Sequence, residues 1–472
     1  MSLRSAALFV LVSVAWGCGA DPEPPPPRAP AWPYPLPGYE QYYSADPEEP
    51  TIELVTMGVG ALIWERHGHI ALCVRYRRPG RDVCYNYGVA EFQKPLKMAW
   101  AFFRGANGFW VEPQSTGQLI RTYVYRDRTV WVQPLPLSLE QKKKVLEKLE
   151  YDDHDEHRYY AYDHFLDNCT TRVRDIIDNA VGGALRAMDE PGDGRTFRDL
   201  AREGFFGKRI PLLVTDLAMG RSTDRVPTYW ERMFLPEYLR VAVEKKWGIK
   251  PYVLYERRGL PPLKEGPSGR VLLALVILVL TAPAWATRLW GRFQRAGLAV
   301  AVVPYVFLGV VFWFLAAVSP LDYVRWNETC LVLFPLDIAL IAFLPPERRR
   351  LYARFRVGML ALLALLDVVS VIRAPLLAPI LWPLIPCLIV GFWPEQAAGV
   401  VTGEFEAVAQ DEKSGPVKKS GKVGKAITSE NSGRVSKPIA SGKTGPVGKT
   451  GPVGKVVAVG KSGQVGKSSK RS

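Results

Sequence analysis

Histidine is scarce in this 472-residue chain: His67, His69, His154, His157 and His164 are all there is. Any imidazole chemistry is therefore confined to one stretch. The six cysteines (Cys18, Cys73, Cys84, Cys169, Cys330 and Cys387) are too scattered for a disulfide framework, and no CxxC pair marks a zinc or dithiol site. A basic body is missing as well. Of the formal +15, the segment from Lys413 onward holds fourteen Lys/Arg against the single acid Glu430, which leaves +2 for everything before it. A body so nearly neutral is not a nucleic-acid-binding domain, and no nucleic-acid partner is expected. Membrane-length apolar runs are absent before residue 269. What is present, 48% apolar and 23% charged residues over a length that suits two or three domains, describes folded protein.

Residues 1–18 read as an export signal: Arg4, then the apolar stretch Ala6 to Val14, then Ala15-Trp16-Gly17-Cys18. The Gly17-Cys18 pair resembles a lipoprotein attachment box, which makes Cys18 a candidate for lipidation. Export would place the domain beyond it in an oxidising compartment. Residues 19–50 are a proline-rich linker, with 11 prolines between Asp21 and Pro50, expected to stay extended. Residues 51–255 carry mixed patterning and are expected to form an α+β domain. His69 to Tyr76 and Val83 to Tyr87 are strand-like runs around a Pro79-Gly80 turn, and Arg121 to Val132 alternates like a strand. Ser138 and Gln141 have capping-box spacing ahead of a helix to Tyr151, and a second helix is expected from Asn168 to Ala180.

The composition changes after Gly269. Apolar stretches at 271–287, 296–318, 329–344, 357–372 and 376–392 predict a five-helix transmembrane domain over 268–393, with Asp337 and Asp367 as interior hydrogen-bonded acids. Eight arginines lie in the loops after the first and third stretches, against Arg325 and Arg373 in the alternate loops. That bias puts the first set in the cytoplasm, and with it the basic Gly/Lys/Val tail, 394–472, which is expected to be disordered.

For chemistry, Cys169 stands out. Asp167 or Asn168 would cap the following helix, leaving Cys169 in its first turn, where the helix dipole is expected to lower the thiol pKa. His69 enters the first hairpin strand on the face of Ala71 and Cys73. A register pairing odd with even positions adds Cys84 and Asn86 to that face. In that register Cys169 is the candidate nucleophile, His69 its base and Asn86 the orienter, and Cys73 and Cys84 would lie close enough for a disulfide. The acids and histidines between Asp152 and His157 occupy a polar turn and are not expected to hold a metal. No cofactor is called for.

Gly68-His69-Ile70-Ala71-Leu72, Tyr85-Asn86-Tyr87-Gly88, Phe102-Phe103-Arg104-Gly105, Asp167-Asn168-Cys169-Thr170-Thr171-Arg172 and Met233-Phe234-Leu235-Pro236-Glu237-Tyr238-Leu239 occur in the order in which they occur in the Lnb family. The chain resembles that family over residues 51–345. The resemblance implies a circularly permuted papain-like (NlpC/LRAT-like) exported domain followed by membrane helices. It also implies transfer of an acyl chain from a phospholipid, through a Cys thioester, to the α-amino group of a diacylglyceryl-cysteine lipoprotein. Cys169, His69 and Asn86 would be catalytic, and Asn168, Arg172 and Arg104 would bind substrate. His67 stands where the family usually has an aromatic and is a second-choice base. The same dyad would also serve a cysteine hydrolase of lipid or cell-wall substrates, and the fold a catalytically silent envelope binding protein.

Overall fold

The structure, a computed structural model, describes residues 28–190, 192–263, 265–266 and 269–393. The expected signal, Cys18 and the basic tail lie outside this range.

The first domain is built on one sheet of seven strands: β1 (Thr51–Met57), β2 (His69–Arg75), β3 (Val83–Val89), β4 (Phe109–Ser115), β5 (Val130–Pro134), β6 (Tyr159–Tyr160) and β7 (Tyr252–Tyr255), in the spatial order β6-β4-β3-β2-β1-β5-β7. All neighbours are antiparallel. Its helices of seven or more residues are α1 (Pro95–Phe103), α2 (Thr116–Tyr125), α3 (Leu139–Asp153), α4 (Cys169–Ala180), α5 (Phe197–Glu203), α6 (Arg209–Ala218) and α7 (Pro236–Trp247). The α+β expectation holds, and the central strand shows why both faces are apolar. In β1, Ile52 and Leu54 join Ile70 and Leu72 of β2 against Val173, Ile176 and Ile177 of α4 and Leu239 and Val243 of α7. Val55 and Met57 point the other way, with Ala71 and Cys73, onto Leu119, Ile120 and Val124 of α2. Alternation along each strand therefore feeds two cores.

Three local expectations are met by local chemistry. The hairpin β2–β3 pairs Ala71 with Asn86 and Cys73 with Cys84, so odd positions face even ones. Cys73 and Cys84 form a disulfide across it. Ser138 and Gln141 close a capping box at the start of α3.

Two expectations fail within this domain. The proline-rich stretch is not a free spacer over its described part: Leu36 is fully buried and Trp32, Tyr39 and Tyr43 pack around it against the α2 side of the sheet. Tyr43 donates to Glu53 at 2.5 Å, and Arg75 lies 4.8 Å from the Trp32 ring. The segment runs through turns and the 3-10 helix Glu40–Tyr42, and its aromatic residues give it apolar area to bury. Residues 121–125, read as strand, belong to α2, because Ser115 accepts from the Gln118 N–H and starts a helix there. Only residues 130–134 are strand.

The apolar half contains α8 (Gly269–Trp290), α9 (Gln294–Val318), α10 (Pro346–Val368) and α11 (Leu377–Phe392). By length and composition α8 and α9 suffice to cross a membrane. Their outward residues Leu278, Val279, Phe307 and Val310 are more than half exposed, an apolar face suited to lipid. The third expected span, 329–344, is not a helix. It breaks into the short helix Thr329–Val332 and the 3-10 turn Pro335–Leu340, where proline removes a backbone donor. There Asp337 is fully buried and accepts from Arg356 at 2.7 and 2.9 Å and from the Tyr352 hydroxyl at 2.6 Å. The fourth expected span merges into α10, whose first turns carry Arg348, Arg349 and Arg350. α11, the fifth, has 16 residues. Asp367 accepts from the N–H groups of Leu376 and Leu377, both at 3.1 Å, so both acids are hydrogen-bonded as expected.

The two halves pack on one another. Trp100 of α1 stacks on Phe314 of α9 at 5.9 Å, and the Gly220 N–H donates to the Tyr323 carbonyl at 2.7 Å. Asn327 donates to the Leu217 carbonyl at 2.8 Å.

Candidate active site

Cys169 is the first residue of α4 because Asn168 caps it. The Asn168 Oδ1 accepts from the Thr170 and Thr171 N–H groups at 2.7 and 3.0 Å, and the Thr171 hydroxyl accepts from the Asn168 N–H at 2.8 Å. This reciprocal cap satisfies donors that every helix start leaves open. The amide Nδ2 of Asn168 donates to the carbonyls of His164 at 2.6 Å and Phe234 at 2.9 Å. Two of the sequence motifs, around Cys169 and around Phe234, are thereby tied by one buried side chain. A third joins them at Gly68, which sits at φ +82°, packs beside Pro236 and faces the Met57 carbonyl too closely for a side chain.

The Cys169 thiol is reached by the Ile70 and Thr170 N–H groups, with the Thr170 hydroxyl 3.7 Å away. The expected lowering of its pKa does not occur. Burial pushes the thiol above its ordinary value, outweighing these hydrogen bonds and the positive charge of Arg128. The resting sulfur is a thiol.

His69 begins β2, stacks near Tyr123 at 6.2 Å and is hydrogen-bonded to Asn86. Burial first, then the nearby Arg128, push its pKa down to about 3 against that hydrogen bond, so it is a neutral imidazole. Along β2, His69 shares its face with Ala71, whereas α4 packs on the other face through Ile70 and Leu72. The layers meet where β3 slips register between Asn86 and Val89. There Gly88, at φ +82°, leaves a gap: a β-carbon on it would stand 3.6 Å from that of Cys169 and 3.3 Å from the Tyr162 ring. Such bulges re-aim side chains beside reactive groups.

Cys169, His69, Asn86 and Asn168 all line one cavity of about 570 Å³, within the usual range for small-molecule sites of ~300–1,000 Å³. Its remaining wall is largely apolar and continues through Phe102 and Phe103 of α1 to Phe312 and Leu315 of α9. A thiol and an imidazole thus open onto an apolar space that reaches a membrane-length helix.

Two expected substrate residues are elsewhere. Arg172 pairs with Asp167 at 2.6 and 2.8 Å and lies 3.7 Å from the Tyr160 ring, fastening the cap loop. Arg104 is exposed at the end of α1, 5.7 Å from the Trp100 ring. Neither lines the cavity. Asn168 does, but all its amide hydrogen bonds are structural. His67 lines it too, 5.0 Å from His164 and edge-on to Phe205 at 5.4 Å, with its Nε2 buried and unpartnered. His164, pushed down to about 4 by burial, was not singled out from sequence. Nor were Tyr123, Tyr162, Arg126 and Arg128, all on the cavity wall. The acids of the 152–157 turn serve the fold: Asp152 accepts from Tyr87 at 2.8 Å and Lys148 at 2.6 Å, and Arg158 pairs with Asp153 and Asp155.

No curated protein and no solved structure matches the sequence significantly. Residues 39–203, about a third of the chain, match the family model described as the Lnb N-terminal periplasmic domain. The match takes in both the strand that carries His69 and the helix that carries Cys169, and with the two apolar helices it fits a protein of the bacterial envelope membrane.

Proposed function

We propose that the protein is a membrane-bound acyltransferase that moves an acyl chain from a phospholipid, through a thioester on Cys169, to the α-amino group of a diacylglyceryl-cysteine lipoprotein. One observation carries the reading: Cys169 and His69 open onto an apolar cavity whose far wall belongs to a membrane-length helix. A soluble peptide gains nothing from such a wall, whereas an acyl chain buries about 0.8 kcal/mol per methylene in it. The Cys-before-helix and His-on-strand arrangement suits a permuted papain-like domain.

The resting pair is neutral, so proton transfer accompanies attack. His69 takes the thiol proton as sulfur adds to the ester carbonyl, and the Cys169 N–H at the helix start would serve the oxyanion. The carbon–oxygen bond to glycerol then breaks, and the His69 imidazolium protonates the leaving alkoxide. In the second half the free amine attacks the thioester, the carbon–sulfur bond breaks, and the amine's proton passes through His69 to the departing thiolate. Asn86 holds the imidazole through the first half and the second. The first domain is exported, and α8 and α9 anchor it in the membrane.

The test is the mass of a lipoprotein's amino-terminal peptide in cells that depend on this protein alone. Wild type yields the N-acylated peptide. Cys169→Ser abolishes it and His69→Ala lowers it about 10²–10⁴-fold. Release of free fatty acid with no peptide mass change identifies a hydrolase, and unchanged product from Cys169→Ser refutes the covalent route.

A further inference from the structure

Arg128 is a charged, buried residue on the cavity wall that the mechanism leaves without a task. It is 2% exposed. Its Nε donates to the Gly58 carbonyl at 2.7 Å, its Nη1 stands 3.5 Å from Glu65, and its Nη2 is buried with no hydrogen-bond partner. The Tyr123 ring, 4.8 Å away, holds the guanidinium in place. Arg126, also on the wall and nearly half exposed, pairs with the same Glu65 oxygen. Two guanidiniums thus draw on one carboxylate, which leaves a unit of positive charge and an idle donor inside an apolar cavity. The other acid on the wall, Glu112, is exposed. Buried charges are ordinarily paired and buried donors ordinarily bonded.

We propose that Arg128, with Arg126 beside it, is the subsite for the phosphodiester of a glycerophospholipid donor. A planar guanidinium presents parallel donors that match phosphate oxygens, which an ammonium does not. The charge of Arg128 is felt by both His69 and Cys169, so an anion held there sets an ester beside the sulfur while its chain runs toward Phe312 and Leu315. Donor choice is set accordingly: phospholipids react, and neutral glycerides, or the acceptor's own acyl groups, react poorly. This inference rests on the acyl-transfer reading for its chemistry but not for its binding.

The experiment measures alkylation of Cys169 by iodoacetamide in the full chain in a maltoside detergent, with Cys330 and Cys387 replaced by Ala and labelling read by mass. Short-chain phosphatidylglycerol, the diacylglycerol of the same chains, and inorganic phosphate are each added at one concentration. Phosphatidylglycerol is expected to slow labelling at least tenfold more than either of the others. Arg128→Lys and Arg126→Gln should each reduce that protection about tenfold or more. Arg126 is surface-accessible, so its variant keeps the test open should Arg128→Lys fail to fold. Equal protection by diacylglycerol, or protection unchanged in both variants, overturns the proposal. Equal protection by phosphate alone makes the site one for free phosphate and overturns its lipid assignment. Selective protection with no acyl-thioester on wild-type protein sinks the transferase reading and leaves the subsite standing. A thioester formed as fast from diacylglycerol does the opposite.

Discussion

Removing the Asn168 side chain tests whether one buried amide holds the Cys169 thiol in place. In wild type Asn168 is 3% exposed and makes four side-chain hydrogen bonds, two accepted at the helix start and two donated to the His164 and Phe234 carbonyls. Asn168→Ala loses the cap, about 1 kcal/mol, and leaves the two carbonyls short of a donor, about 1–3 kcal/mol more. The sum, about 2–4 kcal/mol, corresponds to a fall in melting temperature on the order of 10 °C for a domain of this size. Asn168→Asp separates the two contributions. It keeps an acceptor at the cap and adds charge where the helix dipole favours it, but it turns a carboxylate toward two carbonyls. It should therefore be no more stable than Asn168→Ala, although isolated helices rank Asn and Asp as equal caps. The assay is thermal unfolding of the full chain in detergent, followed by near-ultraviolet circular dichroism, together with the Cys169 alkylation rate, which should rise in both variants as the thiol loosens. A shift below about 2 °C for Asn168→Ala, or wild-type stability for Asn168→Asp, refutes the reasoning.

Because burial holds the Cys169 thiol above its ordinary range, its alkylation rate should keep rising beyond pH 9, and an inflection below pH 8 would contradict this. The folded-state values of His69 and His164, about 3 and about 4, lie below the ordinary 6.5 of an unfolded chain. Their contribution to stability is thus complete above pH 6.5 and is lost as pH falls from 6.5 toward 3–4, at up to about 1.4 kcal/mol per pH unit for each. A melting temperature that stays flat between pH 7 and 5 would refute their burial as neutral rings. Asp337→Asn leaves the buried Arg356 without its counter-charge and should destabilise the apolar half by about 3–5 kcal/mol, read as loss of folded protein in detergent; a wild-type melting temperature would show the pair to be dispensable.

Much of the site was legible because its parts are local. Asp167 and Asn168 are both good helix caps, so the start of α4, and Cys169 in its first turn, could be read to within a residue. Alternating residues around a Pro-Gly turn marked the β2–β3 hairpin, but of its two possible registers only the structure selects the one that brings Asn86 to the His69 face and Cys73 to Cys84. What could not be read is what depends on distant segments. The dipole at a helix start is a local effect and favours a thiolate, but burial among residues of α1, β2 and β3 outweighs it, and burial is a property of the assembled fold. Arg172 and Arg104 sit in recognisable motifs, yet whether an arginine faces a cavity or fastens a loop is decided by Asp167, Tyr160 and Trp100 packing against it. The run 329–344 has the apolar content of a span, but Pro335 and the pairing of Asp337 with Arg356, nineteen positions on, favour a broken, protein-buried segment. Arg128, His164 and Tyr162 gave no signal along the chain, since each acquires its meaning only where α4, the β3 bulge and the helix at 294–318 converge on one cavity. Helix caps, turns and strand alternation are set within a few residues and belong to the sequence; desolvation, charge pairing and the walls of a cavity are sums over many segments, and only the tertiary structure performs them.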